Sequence, residues 1–396
     1  MALARIRLKK GAEWRLLRGH YWVFSNEVES CEGPPPQAGA VVEVRRADGL
    51  YLGWGLYNPH SLITVRLLGR GKPEPIDKNF FLKRLETAWS LRRALLEPRT
   101  NAYRVCFGES DGLPGLIVDR FADVLAVQTL SIGMAQREAA LLDALEELFC
   151  PQAIVLRNDS PLRRHEGLSE HRAVARGRLP QSIEIEEHGL RYELDVLHGQ
   201  KTGFFLDQRD HRLAVRPFAR GRKVLDVFCN EGGFTLNALA GGADSVWAVD
   251  ISASALERLH RNLARNGFAA SSVELMRAEA LDFLAGPMPE YGPFGLIILD
   301  PPSFTRSRKT LGSARRAYRH LHMRALQWLE PGGFLATASC SHHLYEETFL
   351  EILQESAIAV GRTLRVLYRG YQPADHPVLL AMPETRYLKF YILQAS

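Results

Sequence analysis

Strands and helices alternate regularly over the C-terminal half of this chain, and that alternation restricts the fold more than any other feature. Apolar runs typical of buried strands, such as KVLDVFC (223–229) and GLIILD (295–300), are separated by amphipathic helical patterns such as SASALERLHRNLARNG (252–267). Serine before such a helix and glycine after it are typical helix caps. Strands joined by helices at this spacing predict a parallel sheet with helices on both faces.

The N-terminal part of the chain has a different pattern. Short apolar runs in residues 1–70 are separated by turn residues, and the pair Asp48-Gly49 between two of them favours a tight hairpin. A stretch with prolines and alternating charge, GKPEPIDKNF (71–80), predicts a linker. This part is therefore expected to form a small β-rich module.

The middle of the chain mixes strand and helix patterns. It predicts a helix in 80–96, two strands in 103–130, an amphipathic helix in 134–149, a strand in 153–159 and a polar loop or second linker in 161–180. We therefore expect an α/β protein of three domains, with boundaries at 1–72, 73–180 and 181–396.

Length and composition restrict the class of protein. A chain of 396 residues is too long for one ordinary core. No apolar stretch approaches the roughly 18 residues that a membrane span needs, and the N-terminus lacks the apolar core of a secretory signal, so we expect a cytoplasmic protein that does not enter a membrane. The five cysteines are scattered without a CxxC pair, which argues against a disulfide framework or a zinc site, and we expect no metal.

A glycine-rich turn follows one predicted strand, in VLDVFCNEGGFT (224–235). Glycines let the backbone approach a ligand, and the helix start offers free N–H groups. The G-x-G-x-x-G pattern of dinucleotide folds is absent. Instead Asp250 ends the next strand, where a carboxylate can bind both ribose hydroxyls, and Glu279 ends the following one, where it can face an adenine amino group. Each acid alone is more often a solvated strand end, but the series predicts S-adenosylmethionine.

Two further segments point to chemistry beside that cofactor. In IILDPPSF (297–304) two prolines after Asp300 enforce a rigid extended turn, which fixes the acid and leaves Phe304 free to stack on a flat group. Methyltransferases that act on nucleobases use such a turn to hold the base. In TASCSHHL (337–344) Cys340 ends an apolar run, so it is either a small core residue or a nucleophile at the carboxyl edge of a sheet.

Residues 304–320 are strongly basic although the whole chain carries a net charge of only +5. A solvated surface segment usually mixes charges of both signs. Six cations without an acid therefore favour a phosphate-rich partner for this loop over the alternative of an exposed helix start. These cations are Arg306, Arg308, Lys309, Arg315, Arg316 and Arg319.

The order of several motifs resembles one family along almost the whole chain. The motifs are GESDGLPGLIVDRF (108–121), HGQKTGFFLDQRD (198–210), DPPSF (300–304), SCS (339–341) and YQPADHPV (371–378). The chain resembles the bacterial large-subunit ribosomal RNA cytosine-C5 methyltransferases with an N-terminal PUA domain. This resemblance implies a β-rich PUA barrel, a central α/β domain and a C-terminal Rossmann-like class I methyltransferase. It also implies a homodimer that acts on 23S rRNA, either naked or in an early large-subunit particle.

The resemblance also implies roles for individual residues. Cys340 matches the nucleophile that attacks carbon 6 of cytosine, Asp300 matches the acid that holds the base, and Phe304 with the basic segment is expected to contact RNA. Many RNA cytosine methyltransferases have a second cysteine in the turn that carries this acid, and DPPSF has none. The expected cofactor-binding residues are Gln200, Phe204, Asp207, Arg209, Asp226, Gly232, Asp250, Glu279 and Asp300.

Two alternatives differ from this interpretation in their chemistry. Guanine methyltransferases of ribosomal RNA share the KTGxFLD and DPPxF motifs, but the SCS cysteine argues against that activity. A non-catalytic RNA-binding module would not need the glycine turn or the strand-end acids.

Overall fold

The computed structural model describes residues 3–288, 290–305 and 308–396. The chain forms two compact units. The first contains the residues up to Ile185 together with Leu194–Leu206 and Ala374–Thr385, and the second contains Glu186–Glu193, Asp207–Pro373 and Arg386–Ser396. Since both units are built from separate stretches of chain, the fold depends on contacts between residues far apart in sequence.

The N-terminal sheet has six strands, which are β1 (Ala4–Leu8), β2 (Trp22–Phe24), β3 (Val28–Glu32), β4 (Val41–Arg45), β5 (Tyr51–Tyr57) and β6 (Ile63–Gly69). Their order in the sheet is β2-β6-β5-β4-β1-β3. The predicted hairpin at Asp48-Gly49 is confirmed, because β4 and β5 pair antiparallel on either side of it and Gly49 has φ +90°. A short helix, α1 (Trp14–Leu17), lies between β1 and β2 in the chain.

A second sheet lies in the same unit. Its five strands are β7 (Ala102–Phe107), β8 (Leu116–Phe121), β9 (Val124–Thr129), β10 (Ala153–Asn158) and β11 (His171–Gly177), in the order β11-β10-β9-β8-β7. Trp54 and Leu56 of the first sheet share an apolar cluster with Phe81 and Tyr103, so the two sheets have a common core. The helices of this region are α2 (Lys78–Leu96), α3 (Ile132–Ala135) and α4 (Glu138–Phe149).

Two predictions for this region are wrong. Residues 103–130 contain three strands rather than two, because a 3-10 helix over Gly108–Asp111 and a tight turn after Phe121 divide the apolar pattern. The segment 161–180 is not simply a loop, since β11 pairs antiparallel with β10 at the edge of the sheet. Most of the side chains of β11 are at least partly exposed there, and Arg172 pairs with Asp159, so a polar sequence is compatible with this strand.

The rest of the chain forms a β-hairpin and a large seven-stranded sheet with its helices. The hairpin consists of β12 (Ile183–Glu187) and β13 (Leu190–Leu194). The later elements are α5 (Arg209–Ala219), β14 (Lys223–Val227), α6 (Gly233–Ala240), β15 (Ser245–Asp250), α7 (Ala253–Arg265), β16 (Val273–Arg277), α8 (Ala280–Ala285), β17 (Phe294–Leu299), α9 (Leu311–Trp328), β18 (Leu329–Ser339), α10 (Glu346–Ala359), β19 (Leu364–Gly370) and β20 (Lys389–Ala395).

The seven strands are ordered β16-β15-β14-β17-β18-β20-β19. The predicted parallel sheet is confirmed for the first five, which pair parallel with one another. The last two strands add an antiparallel edge, because β20 runs opposite to both β18 and β19. The predicted domain boundaries at 72/73 and 180/181 stay a prediction.

A buried ion pair joins α5 to the hairpin. The guanidinium of Arg212 donates to both carboxylate oxygens of Glu187, at 2.7 and 2.6 Å, and the two side chains are only 2% and 1% exposed. Removing one member of such a pair leaves an uncompensated charge in the interior. The pair therefore makes the position of α5 sensitive to a single substitution.

We predict that Arg212→Leu lowers the free energy of unfolding by about 3–5 kcal/mol. Arg261→Leu is the matched control, because Arg261 pairs with Glu193 in the same unit but is 46% exposed, and it should cost at most about 1 kcal/mol. Urea denaturation of both variants checks this. Equal losses of stability would contradict the account of the buried pair.

Candidate active site

Polar residues collect at the carboxyl ends of four neighbouring strands in the second unit. Asp226 lies near the end of β14, Asp250 ends β15, Asp300 follows β17, and Cys340 follows β18. The register places Val227 beside both Val249 and Leu299, so the ends of these strands are level with one another. Open α/β sheets bind ligands at this edge.

The glycine-rich turn between β14 and α6 has the form that a ligand-binding loop needs. Phe228 and Asn230 have positive φ values of 67° and 48°, and Gly232 caps α6 with φ 87°. A Cβ atom at Gly232 would overlap the side chain of Leu259. A larger residue here would be strained by the positive φ and would have to displace the Leu259 side chain.

Asp250 is held beside that turn by the backbone. Its Oδ2 accepts from the amide of Asn230 at 3.0 Å and its Oδ1 accepts from the amide of Ser252 at 2.9 Å. Each carboxylate oxygen keeps further acceptor capacity. The carboxylate is thus fixed in orientation and remains able to accept hydrogen bonds from a pair of hydroxyls.

Asp226 is a fully buried acid beneath the same turn. Its Oδ2 accepts from the hydroxyl of Thr235 at 2.6 Å, whereas its buried Oδ1 has no hydrogen-bond partner among the described residues. Burial raises the pKa of Asp226 to about 7, and the charge of Asp300 adds to this effect, although the Thr235 hydroxyl opposes it. A buried carboxylate with a free oxygen suits a cationic ligand group.

Asp300 is oriented by a short polar chain from α5. Gln208 Nε2 donates to Asp300 Oδ1 at 2.7 Å, and Gln208 Oε1 lies 2.5 Å from Nδ1 of His211. Burial lowers the pKa of His211 to about 3, which keeps the imidazole neutral with Nδ1 as the donor. The ring stacks on Phe390 at 4.3 Å. Neither Gln208 nor His211 was predicted as a site residue, and only the DQRD motif pointed to Gln208.

Cys340 lies at the strand end, directly after Ser339 of β18. It is half-buried, whereas Cys106 and Cys229 are buried. The Oγ atoms of Ser341 and Ser303 are 2.9 Å apart, so the SCS and DPPSF segments are directly linked. Cys340 and Asp300 therefore belong to one polar site.

A family model for S-adenosylmethionine-dependent methyltransferases matches residues 115–379, and a model for PUA-like domains matches residues 6–70. The chain belongs to this methyltransferase family. The predicted cofactor and the predicted β-rich PUA domain are thereby confirmed.

Curated relatives cover nearly the whole methyltransferase. The ribosomal RNA large subunit methyltransferase I of Shewanella denitrificans is 41% identical over 97% of this chain and 98% of its own length. That of Aeromonas hydrophila is 39% identical over 99% of each chain.

Solved structures show the same fold. A protein from Streptococcus mutans, assigned as a SAM-dependent methyltransferase, has a TM-score of 0.84 at 20% identity and covers 98% of this chain and 99% of its own. SMU.776, a methyltransferase complexed with SAH, has a TM-score of 0.86 at 20% identity with the same coverage. These likenesses confirm the fold class.

The site residues of the methyltransferase fit S-adenosylmethionine. The free oxygen of buried Asp226 suits its cationic methionine part and the fixed carboxylate of Asp250 suits its ribose, whereas the contact of Gly232 with the methionine part stays a prediction. Within the described ranges no three His, Cys, Asp or Glu residues could hold a metal ion, and no helix is long and apolar enough to cross a membrane.

The other predicted cofactor residues are more dispersed. Gln200 and Phe204 belong to the first unit, and Asp207 and Arg209 belong to the second. Asp207 accepts from the hydroxyl of Tyr387 at 2.7 Å. Closure of this motif over the cofactor stays a prediction.

Glu279 has a visible structural role. It is exposed and caps α8, where its carboxylate accepts from the amide of Asp282 at 2.9 Å. Its contact with adenine stays a prediction.

Phe304 has a packing partner within the protein, and its stacking on a base stays a prediction. Its half-buried ring packs edge-on against Tyr318 with centroids 4.8 Å apart, because the DPPSF turn directs it toward the apolar cluster under α9. Contact with a base would require the ring to leave Tyr318 or to use its remaining exposed face.

The basic segment is only partly as expected. From Leu311 onward it is the helix α9 rather than a loop. Arg315 is not unopposed, because it pairs with Glu351 and Glu355 of α10. Lys309, Arg316 and Arg319 are exposed, whereas Arg306 and the side chain of Arg308 lie outside what the structure describes.

We predict that S-adenosylmethionine binds about tenfold more tightly at pH 8 than at pH 6, because a cation beside Asp226 favours its ionised form and an acid with a pKa near 7 must lose a proton on binding. Isothermal titration calorimetry checks this. Asp226→Asn should abolish the pH dependence, and the exposed control Asp244→Asn should keep it. Equal wild-type affinity at both pH values would contradict the assignment.

Proposed function

We propose that this methyltransferase methylates carbon 5 of a cytosine in 23S ribosomal RNA, with Cys340 as a covalent nucleophile. The observation that carries the proposal is the position of Cys340, half-exposed at the end of β18 and linked through Ser341 and Ser303 to the segment that holds Asp300. The names of the curated relatives support ribosomal RNA of the large subunit as substrate.

The target atom explains the need for a cysteine. Carbon 5 of cytosine is a poor nucleophile. When the Cys340 thiolate adds to carbon 6, the ring becomes an enamine and carbon 5 becomes nucleophilic. Once carbon 5 has taken up the methyl group, loss of the carbon 5 proton and elimination of Cys340 restore the aromatic ring. The covalent bond thus divides one difficult step into easier ones.

Asp300 is the group that holds the base in this proposal. Its carboxyl group accepts a hydrogen bond from the N4 amino group and shares a proton with N3, which offsets the negative charge that builds up there as the sulfur adds. Gln208 fixes one carboxylate oxygen, so the other is presented in a set direction. A side chain oriented before substrate binds loses little freedom when the reaction begins.

The cofactor supplies an electrophilic methyl group when it is bound. In this proposal Asp226 and Gly232 line its methionine part, Asp250 binds its ribose, and Glu279 faces its adenine. Asp207 and Arg209 of the second unit complete the site in this proposal, and roles in cofactor binding are also proposed for Gln200 and Phe204. No residue is assigned as the base for the carbon 5 proton, because the DPPSF turn contains no second cysteine.

The RNA partner is proposed on the PUA-like match at 6–70 and on the exposed cations of α9 and the turn before it. The target must be splayed out of any helix for sulfur to reach carbon 6. The proposed substrate is 23S RNA, naked or in an early large-subunit particle, and the proposed assembly is a homodimer.

We predict that Cys340→Ala abolishes methylation but leaves cofactor and RNA binding nearly unchanged, because it removes an interaction made only during the reaction. RNA containing 5-fluorocytidine tests the covalent step, since fluorine cannot leave as a proton does and the adduct is trapped. A denaturation-resistant protein–RNA band should form with wild type and with Cys150→Ser, whose thiol is exposed on α4's end. It should be absent for Cys340→Ala.

Methylation by Cys340→Ala at the wild-type rate would overturn the proposal. It would favour a guanine base as the target, since that chemistry needs no cysteine adduct.

We predict that Arg316 and Arg315 contribute unequally to RNA binding. Arg316 is exposed and Arg315 is neutralised by two glutamates. Arg316→Ala should make the negative slope of log affinity against log salt shallower by about 0.7–0.9, as expected for one lost phosphate contact. Arg315→Ala should change it much less. Filter binding over a salt series checks this, and equal slopes for wild type and Arg316→Ala would exclude the start of α9 from the RNA surface.

A further inference from the structure

Lys389 is a buried lysine beside the proposed nucleophile. It begins β20 and pairs in register with Ser339, the residue before Cys340. Only 6% of its surface is exposed. Lysine is rarely buried to this extent unless its ammonium is used.

The ammonium of Lys389 holds the turn that follows Cys340. Its Nζ donates to the carbonyl of Ser341 at 2.7 Å and to the carbonyl of Leu344 at 2.8 Å. Two of its three N–H groups are therefore used on the backbone of one short segment. These bonds fix the direction in which the chain leaves β18, and with it the place of Cys340.

The charges around Lys389 balance in favour of a cation at neutral pH. Burial, together with Arg386, lowers the pKa of Lys389 to about 8, while Cys340 and Glu346 oppose that shift. Burial lowers the pKa of neighbouring His342 to about 4, so that imidazole is neutral. Glu346 is itself engaged by Arg369. Lys389 is thus a cation held against the turn that follows Cys340.

We propose that Lys389 is a positioning residue for Cys340 that fixes the turn after the nucleophile and favours its thiolate form. The proposal rests on the proposed function, in which Cys340 must attack carbon 6 as a thiolate. The Cys340 S–H bond breaks, its proton goes to solvent, and the electron pair stays on sulfur beside the ammonium, which keeps its own three protons. When Cys340 is eliminated at the end of the reaction, the same charge receives the leaving thiolate.

The pH dependence of Cys340 alkylation tests this directly. Wild-type protein is treated with iodoacetamide over a pH series, and mass spectrometry follows the peptide that contains Cys340. We expect half-maximal reactivity below pH 8.5, the ordinary range of a cysteine. Exposed Cys150 in the same sample is the internal reference for the reagent.

Two variants separate the charge from the hydrogen bonds. Lys389→Gln keeps amide N–H donors but loses the charge, so alkylation of Cys340 at pH 7 should fall about tenfold and its midpoint should rise by about one pH unit. Lys389→Arg keeps the charge and should keep the wild-type midpoint. A merely structural lysine would leave the midpoint unchanged in both.

A wild-type midpoint at or above pH 8.5, or an unchanged midpoint in folded Lys389→Gln, overturns the proposal. If Lys389→Gln fails to fold, the wild-type profile alone decides. The 5-fluorocytidine adduct separates the two ideas. An adduct with an unshifted profile rejects the role of Lys389 and keeps the proposed function, whereas a shifted profile without any adduct rejects the proposed function alone.

Discussion

The parallel pairing of β14 with β15 and β17 is the constraint on which the site depends. Parallel strands run in one direction, so the residues that follow them meet at one edge of the sheet. Here that edge receives Asp226, Asp250 and Asp300, and the pairing of β17 with β18 adds Cys340. A slip in the pairing of any of these strands would separate the residues that the proposed reaction requires to be neighbours.

The site also depends on polar groups held inside the protein. Asp226 is buried with one free oxygen, and Asp300 is oriented by Gln208, which itself contacts neutral His211. Unpaired buried oxygens cost stability unless a ligand satisfies them. The unpaired oxygen of Asp226 therefore lowers the stability of the ligand-free protein. A cationic ligand group that pairs with this oxygen removes that cost, and the gain contributes to ligand affinity.

Sequence alone predicts the centre of the large sheet because its strands are buried on both faces and consist of apolar runs. The same pattern predicts the strand-end acids, since they interrupt those runs. It does not reveal edge strands such as β11 and β19, whose exposed positions allow polar residues. Nor does it reveal partners brought together by tertiary contacts. The glutamates that neutralise Arg315 are 36 and 40 residues away in the chain, and Lys389 reaches the SCS turn only through strand pairing.

The central claim is that the base modified by this methyltransferase is cytosine at carbon 5. The most direct test is to incubate the protein with ribosomal RNA from a strain that lacks this methyltransferase. S-adenosylmethionine with an isotope-labelled methyl group is the methyl donor. The RNA is then digested to nucleosides for mass spectrometry. The account predicts that the label appears in 5-methylcytidine at a single position of 23S RNA. Label in a methylguanosine, with none in 5-methylcytidine, would contradict it.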